Sequence, residues 1–354
     1  MLDNYINTFK SSIFYTMNKK DSYSPGLAVV MADRQIKRAL DEGKATLEEI
    51  GNSKAFIEEK HTGKWFMIWG GWGNDQIPTA MLGAICGDVA GSIYEWNNIK
   101  YIPDTDKLIA PQCRVTDDSI MTCAVAAGIV TGLKKLPDDW MHTDNYEDVI
   151  CDAIREKLRI YGRKYPNAGY GGSFRRWLSL NTPDAYGSYG NGSAMRASFA
   201  GWAAKSLEEA EKLGELSAKV THNHPEGIKG AKVVAGCIYL LRTGMSKADV
   251  SEYVSSFYNM DFTLDMIRPS YRFDVTCQGS VPQAIQAFLE GENFVEVIGK
   301  AISIGGDSDT IAAIAGSIAE VIYPIPQGVR GRVIDRMDEF LLTSIHDAVD
   351  YVWC

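Results

Sequence analysis

Two segments of the sequence place acids and hydroxyls together just before a run of small residues. The first is VTDDS (115–119), followed by IMTCAVAAGIV, and the second is GGDSDT (305–310), followed by IAAIAGSIAEVIY. Asp, Ser and Thr at a helix start satisfy its free N–H groups, and the helix dipole favours an ionised carboxylate there. Capping needs one such residue, whereas each segment supplies two acids with flanking hydroxyls. The pattern therefore leaves two interpretations open, simple capping or a functional cluster.

If the two helix starts converge, their carboxylates share one small volume. Like charges about 4 Å apart repel by roughly 4 kcal/mol at an effective dielectric constant of about 20. Such a cluster needs protons or cations, and oxygen ligands favour Mg²⁺, Mn²⁺ or Ca²⁺ over zinc. An EF-hand is excluded because Ile311 stands where an oxygen ligand belongs.

A third acidic segment is GAICGDVAGSIYE (83–95), in which glycine recurs at every fourth position. This spacing gives a helix one smooth face that permits close backbone packing. Asp88 on such a helix is either a buried hydrogen-bonding residue or a ligand, and we favour the structural role. Glu95 continues the glycine spacing, so we expect it to project from the helix end toward neighbouring elements.

Two loops combine glycine with aromatic residues and arginine, NAGYGGSFRRW (167–177) and AYGSYGNGSAMR (185–196). Glycine-rich backbone can present N–H groups to phosphate, and Tyr or Phe can stack on a base. Ordinary mobile loops are the alternative. In THNHPEG (221–227), His222 and His224 would not share a helix face, which argues against chelation, but His222 could contact a phosphate or hydroxyl. The P-loop, G-x-G-x-x-G and G-x-S-x-G patterns are not met.

The composition excludes several other classes. The 354 residues include 36 Lys+Arg and 45 Asp+Glu, a net charge of −9, which argues against nucleic acid or an anionic membrane as the main partner. Seven cysteines without a C-x-x-C pair and only five histidines make a disulfide framework and a thiolate zinc site poor interpretations. No apolar run approaches the roughly 20 residues of a membrane span, and the start resembles no signal peptide. We expect a cytoplasmic protein.

The elements that must position these residues are mainly helical, and we predict an all-α fold. An amphipathic helix is predicted within 26–50, and Lys64–Trp69 is the best strand candidate. Further helices are predicted at 79–95, 118–132, 146–161, 193–220, 225–243, 281–290, 294–304, 308–322 and 329–348.

The chain divides into an N-terminal extension, residues 1–78, and a helical body, residues 79–354. The extension ends in KWFMIWGGWGNDQIP, with three tryptophans within eight positions. We interpret it as a cap over the body, with a partner-binding arm as the alternative, because clustered Trp is typical of binding hot spots.

Together these motifs resemble the ADP-ribosylglycohydrolase family, which includes the dinitrogenase reductase-activating glycohydrolases and the ADP-ribosyl-acceptor hydrolases. The resemblance runs in unbroken order from about Ala80 to Tyr323, and it also takes in FDVTCQGSVPQAIQAFLE (273–290). It implies a compact all-α globule with a dinuclear Mg²⁺ or Mn²⁺ centre that cleaves ADP-ribose from its acceptor. Ser119, where many members carry Thr, and the N-terminal extension depart from the family pattern.

The resemblance also implies roles for particular residues. The ligands of the two cations would be Thr116, Asp117 and Asp118 for one, Asp307 and Thr310 for the other, and Asp309 as the bridge. The loop at the diphosphate and distal ribose would be Gly187, Ser188, Tyr189, Gly190 and Asn191, with His222 at the diphosphate. Glu95 matches an acid that lies beside the metals in many members. Our hypothesis is that it transfers the proton, with Asp118 as the alternative. The five acids of this set carry five negative charges, which two divalent cations would reduce to one.

Rival functions remain open at this point. The leading hypothesis is a hydrolase that reverses ADP-ribosylation of a protein or small molecule; nucleic acid would enter only as a modified acceptor. The second is a binding or immunity-type protein whose N-terminal arm neutralises an ADP-ribosyltransferase. A third, a dinuclear phosphohydrolase, would release phosphate instead of ADP-ribose. Neither the acceptor nor the choice between Mg²⁺ and Mn²⁺ follows from the sequence.

Overall fold

The structure is a computed structural model that describes residues 56–58, 65–67, 80–181 and 184–353. Two strands, β1 (Phe56–Glu58) and β2 (Trp65–Met67), pair antiparallel, and Ile57 lies opposite Phe66. β2 falls within the predicted strand. The amphipathic helix predicted within 26–50 lies outside the described residues.

The rest of the described chain is helical, which confirms the all-α prediction. Among the described residues, no helix is both long and apolar enough to cross a membrane. The α-helices of this part are α1 (Leu82–Gly91), α2 (Asp117–Leu133), α3 (Tyr146–Lys164), α4 (Gly172–Ser179), α5 (Ser198–Ala203), α6 (Leu207–Lys219), α7 (Pro225–Arg242), α8 (Lys247–Ser255), α9 (Leu264–Ile267), α10 (Cys277–Glu290), α11 (Phe294–Ser303), α12 (Ser308–Ala319), α13 (Gln327–Ile334) and α14 (Glu339–Trp353).

Two of the predicted helices are each broken into two. The predicted 193–220 helix divides because the Ser206 side chain accepts from the Glu209 N–H and starts α6 afresh. The predicted 329–348 helix divides between α13 and α14. Three short helices, α4, α8 and α9, were not predicted. α4 lies in a segment whose glycines suggest a loop, and α8 depends on a capping box between Ser246 and Asp249.

The glycine face of α1 packs directly on the backbone of α12. A Cβ atom added at Gly83, Gly87 or Gly91 would lie 2.2 Å from Gly316 O, 2.0 Å from Ala312 O and 2.4 Å from Asp309 Cα, respectively. Only hydrogen atoms fit between these two helices. The contact brings Asp88 and the end of α1 beside the acidic start of α12.

The same core continues through the other long helices. α2 packs against α1, α3 and α14, and α12 also packs against α10 and α11. The side chains of α12 from Ser308 to Ala319 are all buried. A helix buried on every side cannot tilt freely, so the residues at its N-terminus are held in place by the core.

We expect Gly87→Ala to destabilise the protein strongly. Its methyl group would lie 2.0 Å from Ala312 O, so α1 and α12 would have to separate, at a cost of about 1–3 kcal/mol or more in unfolding free energy. Urea denaturation measures this change.

The matched control is Gly331→Ala in α13, where a new Cβ has no neighbour within 4 Å. Helix propensity alone then predicts a gain of roughly 0.5–1 kcal/mol. Equal losses in both variants would contradict the close-packing explanation.

Candidate functional site

The start of α2 holds two acids in its first turn. Thr116 is the N-cap, and its hydroxyl oxygen accepts from Asp118 N at 3.3 Å. Asp117 N donates to Ala168 O at 3.0 Å, which ties this helix start to the glycine-rich loop that follows. Capping is therefore done by Thr116, and both carboxylates are left for another purpose.

Asp88 is a buried residue whose two carboxylate oxygens both accept hydrogen bonds. Its Oδ1 accepts from Thr116 Oγ1 at 2.6 Å, and its Oδ2 accepts from Thr116 N at 3.0 Å and Ser119 N at 3.1 Å. The Ser119 hydroxyl also donates to Oδ2. These bonds support the structural role that we favoured, because Asp88 holds the first turn of α2 against α1.

The start of α12 follows a turn that requires two glycines. Gly305 and Gly306 have φ values of +71° and +74°, and a Cβ on Gly305 would lie 2.5 Å from Asn98 Oδ1. Asp307 occupies the N-cap position without capping by its side chain. Its Oδ2 instead accepts from Asn191 Nδ2 at 2.7 Å, so the turn directs this carboxylate toward the second glycine-rich loop.

The two helix starts converge. Thr310 Oγ1 donates to Asp118 Oδ2 at 3.3 Å across 192 positions of sequence. Asp88, Asp118 and Asp309 each offer an oxygen within 4.8 Å of the others, and Glu95, Asp307 and Asp309 form a second such group. Asp309 belongs to both groups, the position expected of a bridge.

A hard divalent cation fits this donor set. Asp118 Oδ1 is buried without a hydrogen-bond partner, although a buried charged oxygen should have one. Carboxylate and hydroxyl oxygens are the ligands that Mg²⁺ and Mn²⁺ prefer. The acidic groups are thus positioned to bind metal.

Burial and mutual repulsion raise the pKa values of the carboxyl groups in this cluster. Burial and the Asp88 carboxylate raise the pKa of Asp117 to about 7. Burial raises the pKa of Asp118 well above its ordinary value, and neighbouring Asp88 and Asp117 add to the rise. Burial and Asp118 do the same to the pKa of Asp309. Without a cation, the folded protein therefore holds extra protons here.

Glu95 lies beyond the end of α1, half-buried and facing the acidic cluster. Burial and the charge of Asp307 raise its pKa, while Arg114 partly opposes the rise. The glycine spacing predicted that Glu95 projects from the end of this helix toward neighbouring elements, and its position agrees with that prediction. Among Glu95, Asp307 and Asp309, Glu95 is the most exposed to solvent.

A cleft of about 380 Å³ opens above the cluster. Both glycine-rich loops line it: the first contributes Gly169–Phe174, and the second contributes Ser188, Gly190, Asn191 and Gly192. His222 also lines the cleft. Gly187 and Tyr189 are exposed and lie outside its lining; the Tyr189 ring packs 5.2 Å from that of His224.

Several cleft residues escaped the sequence analysis. Trp96, 75% exposed, stacks on Phe273 with ring centroids 4.9 Å apart at the rim. Arg196, noted above only as the last residue of the second glycine-rich loop, also lines the cleft, although its side chain is buried. The aromatic pair joins segments 177 positions apart, so no local pattern could have revealed it. Trp96 could have been noticed only through its place next to Glu95.

The fold and the site define a class, a helical protein with an acidic cleft at converging helix N-termini. The chain belongs to the ADP-ribosylglycohydrolase family, whose family model matches residues 74–350. This confirms the resemblance found in the motifs.

Individual relatives agree with this assignment. The chain is 26% identical to the ADP-ribosylhydrolase ARH3 of Mus musculus over 322 residues, covering 70% of this chain and 83% of that protein. It is 25% identical to the ADP-ribosylhydrolase ARH3 of Homo sapiens, covering 70% and 85%. A solved ADP-ribosylglycohydrolase-related protein complex shares the fold at a TM-score of 0.55 and 19% identity, covering 77% of this chain and 96% of that one.

The raised pKa values predict how stability depends on pH. A carboxyl whose folded pKa is about 7, against an ordinary 3.8, stabilises the protonated folded state at low pH. In EDTA-treated protein we expect Tm to fall as pH rises from about 4 to about 8, and the Asp117→Asn variant to flatten this fall. Added Mn²⁺ should raise Tm more at pH 8 than at pH 5, because protons compete with the cation.

Asp309→Asn should abolish the Mn²⁺-induced rise in Tm, since Asp309 belongs to both oxygen groups. The exposed Asp261→Asn is the matched control and should retain the rise. A full Mn²⁺ effect in Asp309→Asn would show that cations bind elsewhere. Differential scanning fluorimetry measures all of these shifts.

Proposed function

We propose that this protein is a metal-dependent hydrolase that removes ADP-ribose from an ADP-ribosylated acceptor. The proposal rests mainly on one observation, that Asp309 belongs to two groups of closely spaced carboxylates. These groups lie at the floor of a cleft that the glycine-rich loops also line. Family membership and the ARH3 relatives support the same activity. Mg²⁺ and Mn²⁺ both suit the oxygen ligands.

Two divalent cations would be held by the residues that the family resemblance implied. Asp117 and Asp118 would join Thr116, whose hydroxyl oxygen keeps a lone pair after accepting from Asp118 N. Thr310 and Asp307 would hold the second cation, and Asp309 would bridge. When bound, these cations would supply Lewis acidity and neutralise most of the charge of the cluster.

The protein's own residues would place the substrate on this floor. Ser188 and Gly190 line the cleft, and Gly190 N donates to Ser188 Oγ at 3.1 Å, which orders the loop. Asn191 would act mainly by fixing Asp307 through its amide. His222 faces the same space and would contact the diphosphate. Gly187 and Tyr189, on the outer side of the loop, would meet the ligand only at its edge.

Glu95 would act as the general acid and base. Hydrolysis breaks the bond between the ribose anomeric carbon and the acceptor atom, and water supplies the new hydroxyl. The proton that the leaving acceptor needs would come from the Glu95 carboxyl, since its raised pKa favours the protonated form, and the carboxylate so formed would take up the proton that the attacking water loses. Asp118 is deeper and more enclosed, so it is the weaker candidate for this role.

The other functions considered have less support. The binding or immunity hypothesis depends on an ADP-ribosyltransferase partner and on residues 1–78, of which the structure describes only the backbone of β1 and β2. Nothing in the described part favours it, and it stays a prediction. The same holds for the cytoplasmic location and for the division at residue 78.

The acceptor is best found with a panel of defined substrates. We expect Mg²⁺- or Mn²⁺-dependent release of free ADP-ribose, blocked by EDTA, from at least one member of an arginine, serine, nucleobase, guanidine and ester panel. Chromatography with mass detection distinguishes ADP-ribose from phosphate. Release of phosphate alone would favour the phosphohydrolase. If no substrate gave EDTA-sensitive release of ADP-ribose, the proposal would be wrong.

Glu95→Gln tests the proton-transfer role. We expect kcat on the active substrate to fall by about 10²–10⁴-fold while the Kd of ADP-ribose stays within about twofold, because the amide keeps the shape but cannot donate an acidic proton. Glu208→Gln, exposed in the first turn of α6, is the matched control and should keep full turnover. Undiminished hydrolysis by Glu95→Gln with intact cation binding would assign the acid to another residue.

A further inference from the structure

Arg196 is a buried cation without a carboxylate partner among the described residues. Its side chain is 1% exposed, yet it forms no ion pair in this part of the chain. Nη2 donates to Ser217 O at 3.1 Å and to Thr221 Oγ1 at 2.7 Å, and Nε has no partner. Burying an uncompensated guanidinium is costly, so its position asks for a functional explanation.

Thr221 links this guanidinium to His222. Its Oγ1 lies 2.7 Å from His222 Nδ1 as well as 2.7 Å from Arg196 Nη2. Arginine can only donate, so the Thr221 oxygen accepts from Arg196. The positive charge turns the oxygen of the hydroxyl toward Arg196 and its hydrogen away from it, toward its two other side-chain neighbours, His222 Nδ1 at 2.7 Å and the phenol of Tyr186.

His222 Nε2 faces the cleft. A Cβ on Gly192 would lie 3.2 Å from Nε2 and one on Gly190 would lie 3.6 Å from it, so glycine keeps this nitrogen accessible. Nε2 makes no hydrogen bond with the described residues, while Nδ1 is engaged by Thr221. If Nδ1 accepts, the proton of the neutral ring must be on Nε2, directed at a ligand.

We infer that Arg196 is a positioning residue: through Thr221 it holds His222 as the Nε2–H tautomer, ready to donate to an anionic phosphate group in the cleft. The buried guanidinium also supplies positive charge behind that donor. The inference rests on the proposed function only for the identity of the ligand, the diphosphate of ADP-ribose. The tautomer itself is a property of the free protein.

The charge state of the ring is consistent with this arrangement. Burial, and then the charge of Arg196, lower the pKa of His222 well below its ordinary value. The ring of Tyr186 packs 5.8 Å from that of His222. Burial raises the pKa of its phenol, the charge of Arg196 and a hydrogen bond with the Thr221 side chain partly oppose the rise, and the phenol stays neutral. A neutral histidine binds phosphate through one N–H, and the tautomer decides whether the cleft meets that N–H or a repelling lone pair.

The rival arrangement places the proton on Nδ1, with both Arg196 and His222 donating to the Thr221 oxygen. The two states are distinguished by long-range ¹H–¹⁵N NMR of the histidine rings, with His222→Gln to assign the signal. We expect a protonated Nε2 and an unprotonated Nδ1 in the cation-free, ligand-free protein. A protonated Nδ1 would overturn the inference.

Variants of Thr221 test whether the link sets the tautomer. Thr221→Val removes the hydroxyl in the same shape; we expect a mixture of tautomers and about tenfold weaker binding of ADP-ribose and of ADP by calorimetry. Thr221→Ser restores the hydroxyl and should restore both the single tautomer and the affinity for the nucleotides. Thr243→Val, which removes an exposed hydroxyl at the end of α7, should change neither. An unchanged tautomer in Thr221→Val would overturn the inference.

Arg196→Lys tests the guanidinium without removing the charge. One ammonium cannot hold both Ser217 O and Thr221 Oγ1 in the same planar geometry, so we expect weaker ADP binding and a raised KM with a smaller effect on kcat. If this variant is poorly folded by circular dichroism, Thr221→Val and its NMR signature decide the matter. Failure of wild-type protein to bind ADP-ribose would count against the proposed function, whereas the tautomer would be measured regardless.

Discussion

The direct contact between the backbones of α1 and α12 is the constraint on which the rest of the site depends. Because Gly87 has no side chain, the two helices approach until their backbones touch at Ala312. This approach places Asp88 beside the start of α2 and the end of α1 beside the start of α12. A wider separation of α1 and α12 would move Asp88 and Glu95 away from the start of α12.

The acidic floor is the electrostatic consequence of that packing. Helix dipoles at the starts of α2 and α12 favour negative charge, but each contributes at most a modest amount and only within the first turn. Burial works in the opposite direction and raises the pKa of Asp117 and Asp309. Divalent cations bound at this site would replace the protons and offset the negative charges, since metal ions are often the largest local charges in a site.

The floor of the cleft is acidic, whereas its walls carry a histidine, a buried arginine and exposed backbone. One wall carries His222 with the buried charge of Arg196 behind it, and both glycine-rich loops expose backbone instead of large side chains. A ligand with an anionic diphosphate at one end and a hydroxyl-rich sugar at the other matches this polarity. The stacked Trp96 and Phe273 lie at the rim of the cleft, next to Glu95.

The sequence by itself determined much of what is local: most of the long helices, the acidic helix starts near Thr116 and Asp307, and which helix has a smooth face. Capping, dipoles and glycine conformation act within a few residues and can be read from neighbouring positions. The family resemblance added the expected partners across the chain. Only the tertiary structure decided three pairings. Asp88 accepts hydrogen bonds from the start of α2, Asn191 donates to Asp307, and Arg196 donates to Thr221, the neighbour of His222. These pairings join side chains brought together by core packing, and packing depends on the whole set of helices at once.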